Sequence, residues 1–182
     1  MTLTRILPTL RRSIPDPIAG DHWPAATVAT IVDVSVDGVS LLRVVELCGT
    51  PAVHLGPAAV PGTGGRLASA TKHTGVVVVR VLEASARRSG EHGGERTVEI
   101  DADLSELDPV WAEARLIGRT SVARATPTTL TNGPSGCSSP APIALPADLC
   151  AGDLLALPYA AVTDDAGVAR KRDHDAREGA LA

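Results

Sequence analysis

A chain of 182 residues, 44% of them hydrophobic, holds enough apolar side chain for one core but not for two independent ones. With no Phe, one Tyr and two Trp, that core must be assembled from Val, Leu, Ile and Ala, and the abundance of Val among scattered Gly and Pro favours a mostly β protein. The net charge of -4 offers no attraction to nucleic acid or anionic lipid, no basic face carries aromatics to stack bases, and no apolar run approaches the roughly 20 residues of a membrane span.

At the N-terminus, Arg5, Arg11 and Arg12 lie among Ile6, Leu7, Leu10 and Ile14, the composition of a membrane-surface or targeting helix. Pro8, Pro15 and Pro17 interrupt that pattern too early, so residues 1 to 27 read as an arm lying on the domain. Val32, Val34 and Val36 then alternate with Asp33, Ser35 and Asp37, the period-two signal of a half-buried strand, and Asp37-Gly38 supplies a turn. A short helix follows. Ser40 is its N-cap, Leu41, Val44, Val45 and Cys48 share one face, and Gly49 stands at the C-cap. TPAVHL reads as a short strand.

Residues 56 to 75 contain Pro57, Pro61 and five glycines, which deny the segment a helix or strand and mark it as a linker. Beyond it, VVVVRVLE and RTVEID read as strands joined by the polar loop ASARRSGEHGGE. Further strands are expected at ARLIGRTSVAR, PIAL and DLLALPYAAVT, a count that suits a small, Greek-key-like β-barrel spanning residues 28 to 163, with one or two short helices. Residues 164 to 182 are charged in both signs and read as a flexible tail.

Candidate chemistry is sparse. Cys48, Cys137 and Cys150 are odd in number and without CxxC pairing, which argues for free thiols and a cytoplasmic location. Cys137 sits on a Gly/Ser loop with no His or Lys nearby in sequence to activate it, and Cys150 reads as a small buried hydrophobe at a turn. GPSGC misses the final glycine of a nucleophile elbow, and PGTGGR lacks the ending of a phosphate loop. His22, His54, His73, His92 and His174 are scattered without ligand spacing, and the acidic run Asp101, Asp103, Glu106 and Asp108 lacks the glycine and terminal glutamate of a calcium loop, so no metal is expected.

Three patches, in order, resemble the diaminopimelate/ornithine/arginine decarboxylase family of pyridoxal-phosphate (PLP) enzymes. VDGVSLLRVVELCGTPAVHL is similar to the strand, helix and G-T-P that lead toward the catalytic barrel. VVVVRVLEA through RTVEIDADLSELDPVWAEAR resembles the paired strands ending in D-G-G-M-x-D…R-P-x-L-Y. GPSGCSSPAPIALPADLCAGDLLALPYAAV is similar to G-P-x-C-E-S-x-D…L-P-x-L-x-x-G-D-L-L, ending in G-A-Y. The resemblance implies a β-barrel of the decarboxylase/alanine racemase C-terminal domain type, standing alone because the Gly/Pro linker replaces the catalytic (β/α)8 barrel.

The resemblance also implies a pseudoenzyme. Pyridoxal chemistry needs a buried lysine amine to hold the aldehyde. Lys72 lies in the linker and Lys171 in the charged tail, so no cofactor is expected. The family's carboxylate-gripping arginine matches Asp108 and its tyrosine Trp111. The glutamate after the loop cysteine matches Ser138, the substrate-facing aspartate Ala141 and the final tyrosine Val162, with Ala160 at its glycine and Gly136 inserted before Cys137. Three functions follow as expectations: a non-catalytic module that forms a homodimer or binds a partner; an accessory subunit offering Cys137 in trans to a full-length PLP decarboxylase; or a small-ligand barrel with Asp108, Trp111 and Arg115 as handles.

Overall fold

Four consecutive valines decide the architecture. Along a half-buried strand every second side chain meets water, so an unbroken apolar run requires cover on both faces. In the structure, a computed structural model describing residues 2 to 68, 72 to 86, 96 to 132 and 138 to 160, Val76 to Val79 are each at most 2% exposed.

The chain opens with helix α1 (Leu3–Ile6) and a 3-10 turn (Pro8–Arg12). A small antiparallel sheet follows, built from β1 (Thr27–Ala29), β2 (Val34–Val36) and β3 (Val39–Ser40). Asp37 and Gly38 form its turn with φ of 50° and 79°, the left-handed pair that a two-residue hairpin demands. Helix α2 (Leu41–Cys48) is capped as expected: the Ser40 hydroxyl accepts the Arg43 N–H at 3.1 Å, and Gly49 leaves the helix at φ 77°. Its buried residues are Leu41 and Val45, with Leu42 and Val44 half-buried. Cys48 is exposed, because the face turns toward Leu42.

The barrel wall is made by β4 (Ala52–Pro57), β5 (His73–Ala86), β6 (Arg96–Ile100), β7 (Arg115–Ile117), β8 (Ala125–Thr131), β9 (Ile143–Pro146) and β10 (Leu154–Tyr159). The pairing order is β7-β10-β5-β6-β8-β9, with β4 added to β5. The two ends of that path, β7 and β9, return against each other, so the barrel is nearly closed. β5 serves partners in succession: residues 73 to 80 pair with β4 and β10, then a register shift between Val81 and Glu83 leads into the pairing with β6. The β6–β8 pair is parallel.

Two cores share that central strand. Inside the barrel, Val77, Val79 and Val81 pack with Val98, Ile100, Leu130, Leu145, Leu155, Leu157 and Tyr159. Outside it, Val76 and Val78 pack with Trp23, Val34, Val36, Leu41, Ala52 and Ile117 under the small sheet and α2. Gly75 is needed where it stands. It lies opposite Tyr159, and a Cβ there would come within 2.3 Å of the ring's Cε1.

Several expectations are corrected. The Gly/Pro segment ties two paired strands together: the Ala58 N–H donates to the Lys72 carbonyl and the Val60 N–H to the Arg66 carbonyl, so the hairpin narrows across it. The strand expected over 114 to 124 is only three residues long. β8 was not expected at all: its threonines are β-branched, and Pro127 stands one residue ahead of the first β6 partner, Thr128, so its missing N–H breaks no bond to β6. Trp23 is 1% exposed, so the core begins inside the stretch assigned to the arm. Cys150 is exposed rather than buried, on the turn that leads into β10. Residues 164 to 182 lie outside the described residues.

Candidate functional site: a cleft beneath the N-terminal arm

Pro8 and Pro15 keep the arm from forming one helix, so it folds back over the barrel by specific contacts. Arg11, only 9% exposed, donates from Nη1 to the Ala123 carbonyl at 3.1 Å, and its Nε lies 3.1 Å from an Asp16 oxygen. From the barrel side, Arg115 Nη2 donates to the Asp16 carbonyl at 2.7 Å. Between the arm and the strands β7 and β9 lies a cleft of about 370 Å³, lined among others by Arg5, Ile18, Ile31, Glu113, Arg115 and Leu145.

Most charges on its walls are engaged. Asp33 accepts the Val34 N–H at 2.7 Å and the Ser40 hydroxyl at 2.6 Å. Glu113 accepts Trp23 Nε1 at 3.3 Å and lies 3.7 Å from His22 Nδ1. Arg119 grips Asp153 with two bonds, Nε at 2.6 Å and Nη2 at 2.7 Å, and also reaches Asp148. The hydrogen bond to Asp153 raises the Arg119 pKa against the effect of burial. Burial pushes the Asp153 carboxyl up, but the bonds from Arg119 and from the Cys150 N–H outweigh it and hold the carboxyl below its ordinary range.

Arg115 differs from these. Burial pushes its guanidinium below the usual value, and the charges of Asp16 and Glu113 only partly oppose that. Among the described residues, its side chain's one hydrogen bond goes to a backbone carbonyl.

Of the residues singled out as ligand handles, Arg115 lines the cleft, while Asp108 is exposed and Trp111 packs half-buried against the inner core; neither is part of the cleft lining. Lys72 is exposed at the foot of β5. Ser138 follows the β8 strand and pairs with Thr131, Ala141 and Ala160 are exposed, and Gly136, Cys137, Val162 and Lys171 lie outside the described residues. Among the described residues, no group of three or more His, Cys, Asp or Glu side chains stands ready to hold a metal ion, and no helix is long and apolar enough to cross a membrane. Sequence reasoning missed Arg11, Asp16 and Glu113. The one signal pointing to the first two was Arg11 beside a Pro-bounded acidic residue, SIPDP.

Neither the models of known protein families nor the curated proteins contain a match to this chain.

Proposed function

We propose that this chain is a non-catalytic, stand-alone β-barrel module that takes a small organic ligand in the cleft beneath its N-terminal arm. The observation that carries this reading is Arg115: a half-buried cation with a single side-chain hydrogen bond among the described residues, kept on the wall of a cleft whose volume, about 370 Å³, falls in the range of small-molecule sites. A half-buried charge with few partners has given up part of its water without full return, and a ligand group that engages it recovers some of that cost.

A thermal-shift panel of amines, neutral aromatics, amino acids, carboxylates and pyridoxal phosphate tests it, because a ligand that binds only the native state raises the melting midpoint. At least one class should raise the midpoint, and Ala144→Trp, which fills the cleft from β9, should cancel the shift. A panel without any shift, or shifts that survive Ala144→Trp, would overturn the reading.

A second reading, self-association as a homodimer, is favoured by the exposed apolar residues of the arm, Leu3 at 67%, Ile6 at 59% and Leu7 at 53%. Light scattering decides it: a monomer at high concentration ends this reading, and a dimer dissociated by Leu3→Ser with Leu7→Ser supports it. Kinship with decarboxylase β-barrels belongs to the same proposal.

A further inference from the structure

The wall charges of the cleft can be taken in turn. Arg11 is spent on Asp16 and on the Ala123 carbonyl, and Arg119 on Asp153 and Asp148. Asp33 is occupied by backbone N–H groups and the Ser40 hydroxyl, and Glu113 by Trp23. An incoming ammonium group would therefore meet carboxylates already supplied with donors. Arg115 is in the opposite condition, since a guanidinium carries about five N–H donors in a planar fork and this one gives a single bond, to the Asp16 carbonyl.

We infer that the cleft takes a small monocarboxylate, its two oxygens received by the Arg115 fork and its apolar body resting on Ile18, Ile31 and Pro146. This rests on the cleft being a ligand site, as proposed above. A carboxylate matches the fork in two parallel bonds, and it restores to Arg115 the partners that burial removed. Ile18, Ile31 and Pro146 give the same lining an apolar part on which the body of such a ligand can rest. A single negative charge is preferred over two. Asp16, Asp33 and Glu113 line the same space, and Arg5, a further cation of the lining, is exposed, so solvent weakens its pull. Arg5 then acts mainly on approach, drawing the anion toward the opening.

Isothermal titration of the full chain with benzoate, benzamide, benzylamine and inorganic phosphate separates the possibilities. Benzoate should bind about tenfold or more tightly than benzamide, the isostere without the charge, and more tightly than phosphate or benzylamine. Arg115→Gln should erase the benzoate preference while Arg115→Lys keeps part of it, with circular dichroism confirming that both are folded. Should either variant unfold, the wild-type ratio of benzoate to benzamide decides alone. Equal binding of benzoate and benzamide would overturn the monocarboxylate while leaving the cleft a ligand site, and tighter phosphate or benzylamine binding would overturn it in favour of another charge class. If all four probes fail to bind, both this inference and the small-ligand reading fall.

Discussion

The two cores solve the same problem with different materials. Inside the barrel, mostly strands close around Val, Leu and Ile, and a buried aromatic, Tyr159, lies in the space left by Gly75. Outside it, a helix, a three-stranded sheet and Trp23 are laid over the same wall, and Trp23 fastens to the cleft through Glu113. The inner core is regular and closes on itself, whereas the outer one is assembled from pieces and abuts the candidate site. Because β5 sends Val77, Val79 and Val81 one way and Val76 and Val78 the other, neither core is complete without the other.

The largest expected effect tests that dependence. Leu157→Ala in the inner core and Leu41→Ala in the outer core each empty a site that is 0% exposed, and each should lower stability by about 3 kcal/mol. Both should shift one and the same cooperative transition in thermal unfolding; two separate transitions in Leu41→Ala would break the comparison. Gly75→Ala is next, at about 2 kcal/mol, because the new Cβ meets the Tyr159 ring. The double variant with Tyr159→Leu should recover most of the loss in denaturant titration, which localises the effect to the inner core.

Asp153→Asn should cost about 1 to 2 kcal/mol by weakening the clasp on Arg119. Its pH dependence has a definite sign. The folded carboxyl is held below its ordinary range, so the pair contributes stability that is fully present above the unfolded value of about 3.9 and lost as pH falls through the lower, folded value. The gap between wild type and Asp153→Asn in urea midpoints should therefore be constant near neutrality and shrink in acid. Smallest is Ser40→Ala, at about 1 kcal/mol, which removes both the cap on Arg43 and the bond to Asp33. Its effect should be confined to the outer layer, as read by amide exchange in α2.

What was legible in the sequence was what neighbouring residues settle among themselves. Ser40 and Gly49 bracket a helix by local hydrogen bonding, Asp37-Gly38 makes a turn through its own dihedrals, and four valines in a row announce a strand covered twice. β8 was hidden because Thr126, Pro127 and Thr128 have no apolar alternation, and the strand exists by virtue of β6 and β9 on either side. Cys150 was misjudged because a thiol's burial depends on where its turn points, which local sequence does not record. The cleft was hidden for a stronger reason: residues between 2 and 33 supply one wall and residues within 112 to 121 and 144 to 146 the other, and they meet only after folding. Arg115 stood out as a polar handle, but its hold on the Asp16 carbonyl, across the cleft from β7, is a tertiary fact.

The parallel pairing of Arg96 with Thr128 has a kinetic consequence. Parallel neighbours cannot be joined by a tight turn, and here the chain must travel through residues 101 to 124 before β8 can align. That excursion carries Glu113, Arg115 and Arg119, and its strand β7 pairs with β10, late in the chain, whereas β4 and β5 pair without it. The face that carries the candidate cleft is then the last to consolidate: substitutions along 112 to 121 should hasten unfolding and leave the refolding rate nearly untouched, a difference that stopped-flow measurements read directly.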